Sequence, residues 1–322
     1  HVTDPDRFNE EDLIEREDMV VTITSGGYIK RTPLADFRAQ RRGGKGLAGM
    51  QTKDEDVVTT LFVANTHTQL LFFSTDGMAY KLKTWRLPLG SRTAKGKAII
   101  NILPIQSGVS IAAVMPVDAP EEEWEKLQII FSTSSGDVRR NALSDFTNVR
   151  SNGKIAMDLP EETKLVNARI ANEDDDVMLV TDSGRAIRFS TTAVRVFKGR
   201  KSTGVRGIKI LGDDKVVSMS IIRHFEASPD ERSAYLKMRR AVAGMSDDEV
   251  SSQEEEEEEI NANATISPKK YAEMSAVENL ILTITSSGSG KLSSSHDYPV
   301  RGRGGMGAVS YTHLTLPTKQ DV

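Results

Sequence analysis

The sequence predicts an all-β fold made of about five propeller-type blades, each of four antiparallel strands. Five segments share one pattern: an apolar strand, then Thr or Ser, then a glycine, then a basic residue three or four positions later. The anchoring glycines are Gly27, Gly77, Gly136, Gly184 and Gly288. Between them lie short β-branched runs that end in polar turns, a pattern typical of hairpins. About four strands in roughly 50 residues is the size of one propeller blade.

The spacing of these glycines gives the domain organisation. Successive glycines lie 50, 59, 48 and 104 residues apart, so the last interval holds one repeat and an insertion. We therefore expect blades one to four in residues 19–223, an insertion in 224–279 and a fifth blade in 280–309. Because the fifth repeat stops early, we expect its blade to be truncated.

The charge is unevenly divided among these parts. The net charge of the chain is -4, but residues 1–18 contribute -6 and the insertion contributes -8, with six glutamates in the run 254–259. The remainder is therefore about +10. A dense acidic run repels itself and buries nothing, so we expect the insertion to be partly disordered. Within it, Ser228, Pro229 and Glu231 predict a capped helix that runs to about Ala243 and ends at Gly244.

A second glycine, surrounded by basic residues, recurs 17 to 20 positions downstream in each repeat. These glycines are Gly46, Gly96, Gly153, Gly204 and Gly307. One basic loop per blade gives a repeated array of charges, which suits a phosphate backbone. Glycine allows close approach of the backbone to phosphates. No recognition helix or zinc finger indicates base readout, so we expect binding without sequence specificity.

Other chemistry finds little support in the sequence. The chain has no cysteine, and its five histidines are scattered without metal-ligand spacing. The glycine- and lysine-containing stretch 90–97 is one residue too long for a phosphate-binding P-loop. There is no apolar run of eighteen residues, so a membrane span is not expected, and the sequence indicates a cytoplasmic protein without a bound cofactor or metal.

One segment resembles a known family. Residues 40–46 read Gln-Arg-Arg-Gly-Gly-Lys-Gly, and all seven match the box that marks the C-terminal domain of the DNA gyrase A protein. The surrounding stretches 17–50 and 74–88 resemble the first two blades of that domain, and the resemblance covers roughly residues 8–309. It implies a β-pinwheel, a propeller-like disc that wraps double-stranded DNA around its rim.

The resemblance also implies partners and site residues. In that family DNA wrapping lets the whole enzyme introduce negative supercoils by ATP-dependent double-strand passage. The implied partners are the gyrase A catalytic core and the gyrase B protein, with ATP and Mg held on other domains or chains of the holoenzyme. The box residues expected to contact DNA are Gln40, Arg41, Arg42, Gly43, Gly44, Lys45 and Gly46. Further predicted DNA-binding residues are Arg31, Lys81, Arg92, Lys95, Lys97, Arg139, Arg140, Arg150, Lys154, Arg188, Arg200, Lys201, Arg206, Lys291, Arg301 and Arg303.

The sequence departs from the family in several places. None of its six tyrosines matches the context of the family's catalytic tyrosine, so the chain alone is not expected to cleave DNA. Met306 stands where the first repeat has Lys45. Residues 1–18 resemble the linker from the catalytic core, and 310–322 resemble a non-native tail. Two alternatives stay open: a topoisomerase IV C-terminal domain, and a propeller scaffold that binds proteins.

Overall fold

The computed structural model describes residues 9–37, 56–244, 261 and 263–309. The chain divides into two compact units. The first comprises residues 1–127, 141–168 and 198–202, and the second comprises residues 128–140, 169–197 and 203–322. The acidic run 254–259 and the box 40–46 lie outside the described residues.

Each repeat begins with a hairpin whose turn contains the predicted glycine. In the first repeat, β1 (Asp18–Thr24) pairs antiparallel with β2 (Tyr28–Pro33), with Val21 opposite Arg31. Gly27 between them has a φ of 80°, in the left-handed region that residues with a Cβ avoid. The glycine therefore sets the hairpin turn, and with it the register of both strands.

Four sheets of four or five strands follow from these hairpins. The first sheet has the order β3-β1-β2-β6, with β3 at Val58–Asn65 and β6 at Lys97–Ala98. The second has the order β10-β5-β4-β7, from β4 (Gln69–Ser74), β5 (Met78–Lys83), β7 (Ile111–Val117) and β10 (Lys154–Ile155). All pairings in these two sheets are antiparallel, as predicted.

The remaining strands form three more sheets. The third has the order β11-β8-β9-β14, with β15 also paired to β9, from β8 (Gln128–Thr133), β9 (Asp137–Ala142), β11 (Leu165–Ile170), β14 (Val196–Phe197) and β15 (Val205–Arg206). The fourth has the order β16-β12-β13-β19, from β12 (Asp175–Thr181), β13 (Arg185–Ser190), β16 (Val216–Arg223) and β19 (Ala308–Val309). The fifth pairs β17 (Leu280–Ile284) with β18 (Gly290–Ser294). The all-β prediction is confirmed.

Each of the first four sheets takes an edge strand from the next repeat along the chain. In the first sheet, β6 belongs to the second repeat, yet it pairs with β2 through Tyr28 and Ala98. A hydrogen bond from Ile99 N to Gly27 O, at 2.8 Å, also connects the two repeats beside this strand pair. A blade is therefore three strands of one repeat closed by a strand of the next repeat, not four strands of a single repeat as the repeat length alone suggests.

Apolar side chains of consecutive sheets form the core within the first unit. Val21 and Ile23 of the first sheet share one buried cluster with Leu70 and Phe72 of the second. Short 3-10 helices follow or connect the strands in both units. They lie at Glu10–Leu13, Leu34–Asp36, Thr84–Arg86, Ile99–Asn101, Glu121–Lys126, Leu143–Phe146, Thr191–Ala193 and Ser295–Asp297.

The described residues of the insertion include two α-helices, of which the sequence predicts one. Helix α1 spans Pro229–Val242, and Ser228 and Glu231 form the expected capping box. Gly244 follows the C-cap residue Ala243 with a φ of 72°, so the prediction is confirmed. Helix α2, Pro268–Val277, was not predicted. No helix among the described residues is long and apolar enough to cross a membrane.

Candidate nucleic-acid interface

The basic residue four positions after the turn glycine is held by the protein itself in four repeats. Nε of Arg31 donates a hydrogen bond to Leu87 O at 2.9 Å. Lys81 Nζ lies 2.6 Å from Glu121 Oε1 and also donates to Thr147 O. Arg140 is 6% exposed, and its Nη1 donates to Gln128 Oε1 at 2.9 Å. These contacts leave little of each side chain for a ligand.

Arg188 is the fourth residue of this set and the most enclosed. Its side chain donates to carbonyl oxygens of Ser295, Tyr298 and Arg223 at 2.7, 3.2 and 3.0 Å. Burial lowers the pKa of Arg188, and the charge of Asp176 opposes that shift. Arg188 is therefore a structural cation that joins the fourth sheet to the fifth repeat.

Basic residues three positions after the turn glycine are also largely enclosed. Lys30, 2% exposed, donates through Nζ to the carbonyl oxygens of Ser91, Arg92 and Ala94 at 2.8, 2.7 and 2.9 Å. Arg139 is fully buried. Lys291 is half-buried, and its charge acts on Asp297.

Because of these contacts, fewer of the predicted DNA-binding residues are available to contact DNA. A buried cation that already donates to carbonyl or carboxylate oxygens cannot reach a phosphate without breaking those bonds. We therefore leave the strand bases out of the proposed DNA-binding surface. They are Arg31, Lys81, Arg139, Arg140 and Arg188. Lys291 is half-buried, like four of the loop bases, and stays a prediction.

The loop glycines have a structural role that the sequence reasoning did not assign. Gly204 has a φ of 95°, and a Cβ there would lie 2.1 Å from Val138 O. Gly96 has a φ of 84°, and its Cβ would lie 2.4 Å from Ile29 O. In both cases the glycine allows the loop backbone to lie directly against a strand of the preceding repeat. The close approach that glycine permits here is to the protein's own backbone, not to a phosphate.

Basic residues of the loops are more accessible. Six of the predicted loop bases are exposed: Lys97, Arg150, Lys201, Arg206, Arg301 and Arg303. Four are half-buried: Arg92, Lys95, Lys154 and Arg200. Because short edge strands and the glycines anchor these loops to the preceding sheet, their cations are presented from fixed backbone positions.

Two loop cations lie close together in the first unit. Burial lowers the pKa of Lys154, and the nearby positive charge of Arg200 lowers that pKa further. Lys154 Nζ donates to Asp145 O at 2.6 Å, and Arg200 donates to Ile155 O. Backbone carbonyls therefore hold two like charges within electrostatic range of each other, an arrangement that a bound anion would stabilise.

In the second unit, hydrogen bonds pin the fifth-repeat loop to the fourth repeat. Arg303 Nε donates to Ala193 O at 2.8 Å, and its Nη1 donates to Arg206 O at 3.2 Å. Gly304 N donates to Gly207 O at 2.6 Å. Met306, at the position of Lys45 in the first repeat, is exposed and adds no charge.

The structure adds basic residues that the sequence reasoning missed. Arg195 and Lys209 are exposed and lie in the same stretch as Arg206. The guanidinium of Arg195 lies 3.7 Å from the ring centroid of Phe197, a cation–π contact that orders the side chain. The signal in the sequence that points to them is the basic composition of the whole stretch 195–209, beyond the residues that flank its glycines. Within the described ranges, no cluster of His, Asp or Glu could hold a metal ion.

The fold and the basic loops define a repeated β-propeller-type protein with a cationic surface, and sequence comparison identifies the family. The family described as DNA gyrase C-terminal domain, beta-propeller, matches residues 18–65, 68–118, 128–172, 175–223 and 279–307. These five matches are the five repeats. The chain belongs to this family.

Its relatives include the DNA gyrase A proteins of several bacteria. The chain is 47% identical over 310 residues to the DNA gyrase A protein of Granulibacter bethesdensis, covering 94% of this chain and 33% of that protein. It is 44% identical to the corresponding protein of Rickettsia bellii, covering 93% of this chain and 33% of the relative. The chain thus spans about a third of the length of these relatives.

Two solved structures share the fold. The C-terminal domain of DNA topoisomerase IV superposes with a TM-score of 0.61 at 22% identity, covering 92% of this chain and 73% of the other. A DNA gyrase A C-terminal domain superposes with a TM-score of 0.59 at 20% identity, covering 90% and 76%. These structural likenesses support the β-pinwheel architecture, while the relatives found by sequence favour gyrase over topoisomerase IV.

Proposed function

We propose that the chain binds double-stranded DNA along its basic loops and bends it, as the DNA-wrapping part of a gyrase A protein. The observation that carries the proposal is the recurrence of basic loops anchored to the preceding sheet, one of which places Lys154 and Arg200 within electrostatic range of each other. Equivalent loops in other repeats present exposed cations such as Lys97, Arg206 and Arg301. A series of fixed charges suits the regular charge of a phosphate backbone.

The proposed surface combines two groups of residues. The first is the box 40–46, which lies outside the described residues and enters through the family resemblance. The second is the set of loop bases: Arg92, Lys95, Lys97, Arg150, Lys154, Arg200, Lys201, Arg206, Arg301 and Arg303. Bending 20–30 base pairs costs on the order of 1–6 kcal/mol, which distributed phosphate contacts can offset.

The rest of the enzyme supplies the catalytic steps in this proposal. The gyrase A catalytic core, to which residues 1–18 would lead, cleaves DNA, and the gyrase B protein binds ATP and Mg. The wrapped DNA is then passed through the cleaved segment, which introduces negative supercoils. The chain by itself supplies binding and bending in the bacterial cytoplasm, without a cofactor.

The salt dependence of DNA binding tests the proposal. We expect the affinity for two duplexes of unrelated sequence to be similar and to fall by about 10³–10⁵ between 50 and 200 mM salt, if six to ten phosphates are contacted. Replacing one loop cation, as in Lys201→Gln, should reduce the slope of log K against log salt by about 1. Lys126→Gln is the matched control, because Lys126 is also exposed but lies outside the loops. Salt-insensitive or absent binding would favour a protein-binding scaffold.

A further inference from the structure

The second unit contains a cavity of about 560 Å³ that the proposed DNA track does not account for. Its walls are the loop 224–228, the first turn of helix α1 and the stretch 298–301 of the fifth-repeat loop. The insertion therefore builds one side of the cavity and a predicted DNA-binding loop builds the other. Its volume lies within the range of about 300–1,000 Å³ that is usual for small-molecule sites.

Three arginines line this cavity. Arg301 enters from the fifth-repeat loop, and its backbone N donates to Arg188 O at 2.8 Å. Arg232 enters from helix α1, with Nη1 3.5 Å from His296 O. The positive charge of Arg232 contributes to the lowered pKa of Arg188, after burial, so these two guanidinium groups lie within electrostatic range of each other. An anion in the cavity would relieve this repulsion.

The acidic residues of the walls are paired within the protein or exposed. Glu231 closes its own capping box through Ser228 N at 2.9 Å, and its Oε1 lies 3.5 Å from Lys270 Nζ. The side chain of Glu226 is 92% exposed, and its Oε1 lies 3.6 Å from Nε2 of His224. Asp176 does not line the cavity, and it forms a buried ion pair with Arg188. The capping box also uses N–H groups of the helix start, so recognition would come from the side chains.

We propose that this cavity binds a phosphate group, held between Arg232 of the insertion helix and Arg301 of the fifth-repeat loop. The inference rests on the proposed function, in which that loop follows the DNA backbone. Guanidinium groups suit this ligand because they offer planar pairs of donors to phosphate oxygens. The occupant is either a phosphodiester of bound DNA or a free phosphate ion, and both have the same recognition chemistry. The insertion is then a part of the binding surface and not only an acidic appendage.

The test compares two variants of the same helix in the complete 322-residue chain. Arg232→Gln removes one of the three arginines that line the cavity, while Lys237→Gln removes an exposed cation of α1 that does not line it. Gln has nearly the same helix propensity as Arg and Lys, so α1 should stay intact. Arg301→Gln, at an exposed position, gives a second variant if Arg232→Gln misfolds.

Two measurements separate the two sources of phosphate. DNA affinity is measured against salt, and inorganic phosphate is titrated at constant ionic strength with arginine side-chain NMR signals as the readout. A phosphodiester occupant predicts that Arg232→Gln weakens DNA binding by about 3- to 10-fold and lowers the salt slope by about 1, with Lys237→Gln close to the parent chain. A free-ion occupant predicts loss of the phosphate-induced shifts in Arg232→Gln with the DNA slope unchanged.

The proposal is overturned if neither measurement responds to Arg232→Gln, or if Lys237→Gln produces the same changes. Its failure can be told apart from failure of the proposed function. If the parent chain binds DNA with a steep salt slope while Arg232→Gln changes nothing in either titration, DNA binding stands and the cavity assignment falls. If the parent chain binds no DNA, the proposed function falls, and the phosphate titration decides the cavity alone.

Discussion

Nε of Arg188 lies 2.8 Å from Oδ2 of Asp176, and both side chains are almost fully enclosed, at 2% and 0% exposure. Removing one partner of such a pair leaves a buried charge uncompensated, which costs about 3–5 kcal/mol. We therefore expect Asp176→Asn to lower the free energy of unfolding by about that amount, as measured by urea denaturation. Asp174→Asn is the control, because Asp174 is exposed. An equal loss in both variants would contradict a special role for the pair.

The loop glycines give a second stability prediction. Gly204→Ala forces a Cβ into a left-handed backbone and to within 2.1 Å of Val138 O. Backbone strain of this kind costs about 1–3 kcal/mol, and the clash adds to it. Gly199→Ala, in the same loop with nothing within 4 Å of its Cβ, should change the midpoint of thermal unfolding little. If the two variants unfold at the same temperature, Gly204 is not needed for the close approach.

The buried Tyr235 in helix α1 of the insertion predicts how the stability of the protein responds to alkaline pH. Burial, followed by the hydrogen bond to Glu278, raises the pKa of Tyr235 from 10.0 to about 12. Because the folded pKa is raised, its contribution to stability is fully present below pH 10 and is lost as the pH rises toward 12. A spectrophotometric tyrosinate titration should show a step near pH 12 that Tyr235→Phe removes.

Tyr28→Phe is the control for that titration, since Tyr28 belongs to the first unit. The step near pH 12 should persist in this variant. Loss of the step in Tyr28→Phe, or its persistence in Tyr235→Phe, would assign the raised pKa to another tyrosine.

The acidic run predicts competition with DNA. Deleting residues 245–265 should leave DNA binding unchanged or tighter, because six glutamates at 254–259 would otherwise compete with phosphates for the basic loops. The gain should be larger at low salt, where charges are screened less. Replacing the six glutamates with glutamine is the matched control, since it removes charge while keeping the length. Weaker binding after either change argues against competition.

The box 40–46 predicts a separation of activities in the intact enzyme. If these residues wrap DNA, replacing all seven with alanine should abolish ATP-dependent supercoiling while relaxation of supercoiled DNA persists. Relaxation provides the internal control, because it needs cleavage and strand passage but not wrapping. Supercoiling at the original rate, measured on agarose gels, would remove the box from the proposed surface.

The repeats could be predicted from the sequence because their signal is local. Each turn glycine lies within a few residues of the strands that it joins, so Gly27 and its equivalents indicate the hairpins directly. The capped start of α1 was equally local. Helix α2 has the same Ser-Pro start at Ser267 and Pro268, but Lys270 stands where α1 has Glu231, so its capping box is incomplete.

Long-range contacts explain what the sequence could not predict. Lys30 has three carbonyl partners that lie more than 60 residues downstream, so its pattern position gives no sign that it is internal. The same holds for Arg188, whose partners include Ser295. The sequence does not distinguish a basic residue that is buried in a strand from one that is exposed in a loop. The sheet topology separates the structural cations from the accessible ones.

The borrowed edge strands set an order of events during synthesis of the chain. Strand β6 begins at Lys97, 64 positions after β2 ends at Pro33, so the first sheet remains open while that stretch is being translated. At about 5–20 residues per second, the delay is roughly 3–13 s for the first sheet. During synthesis, the most recent sheet therefore has an unpaired edge strand until the next repeat has been translated. When that repeat supplies the missing strand, the unpaired edge is the one of the next sheet.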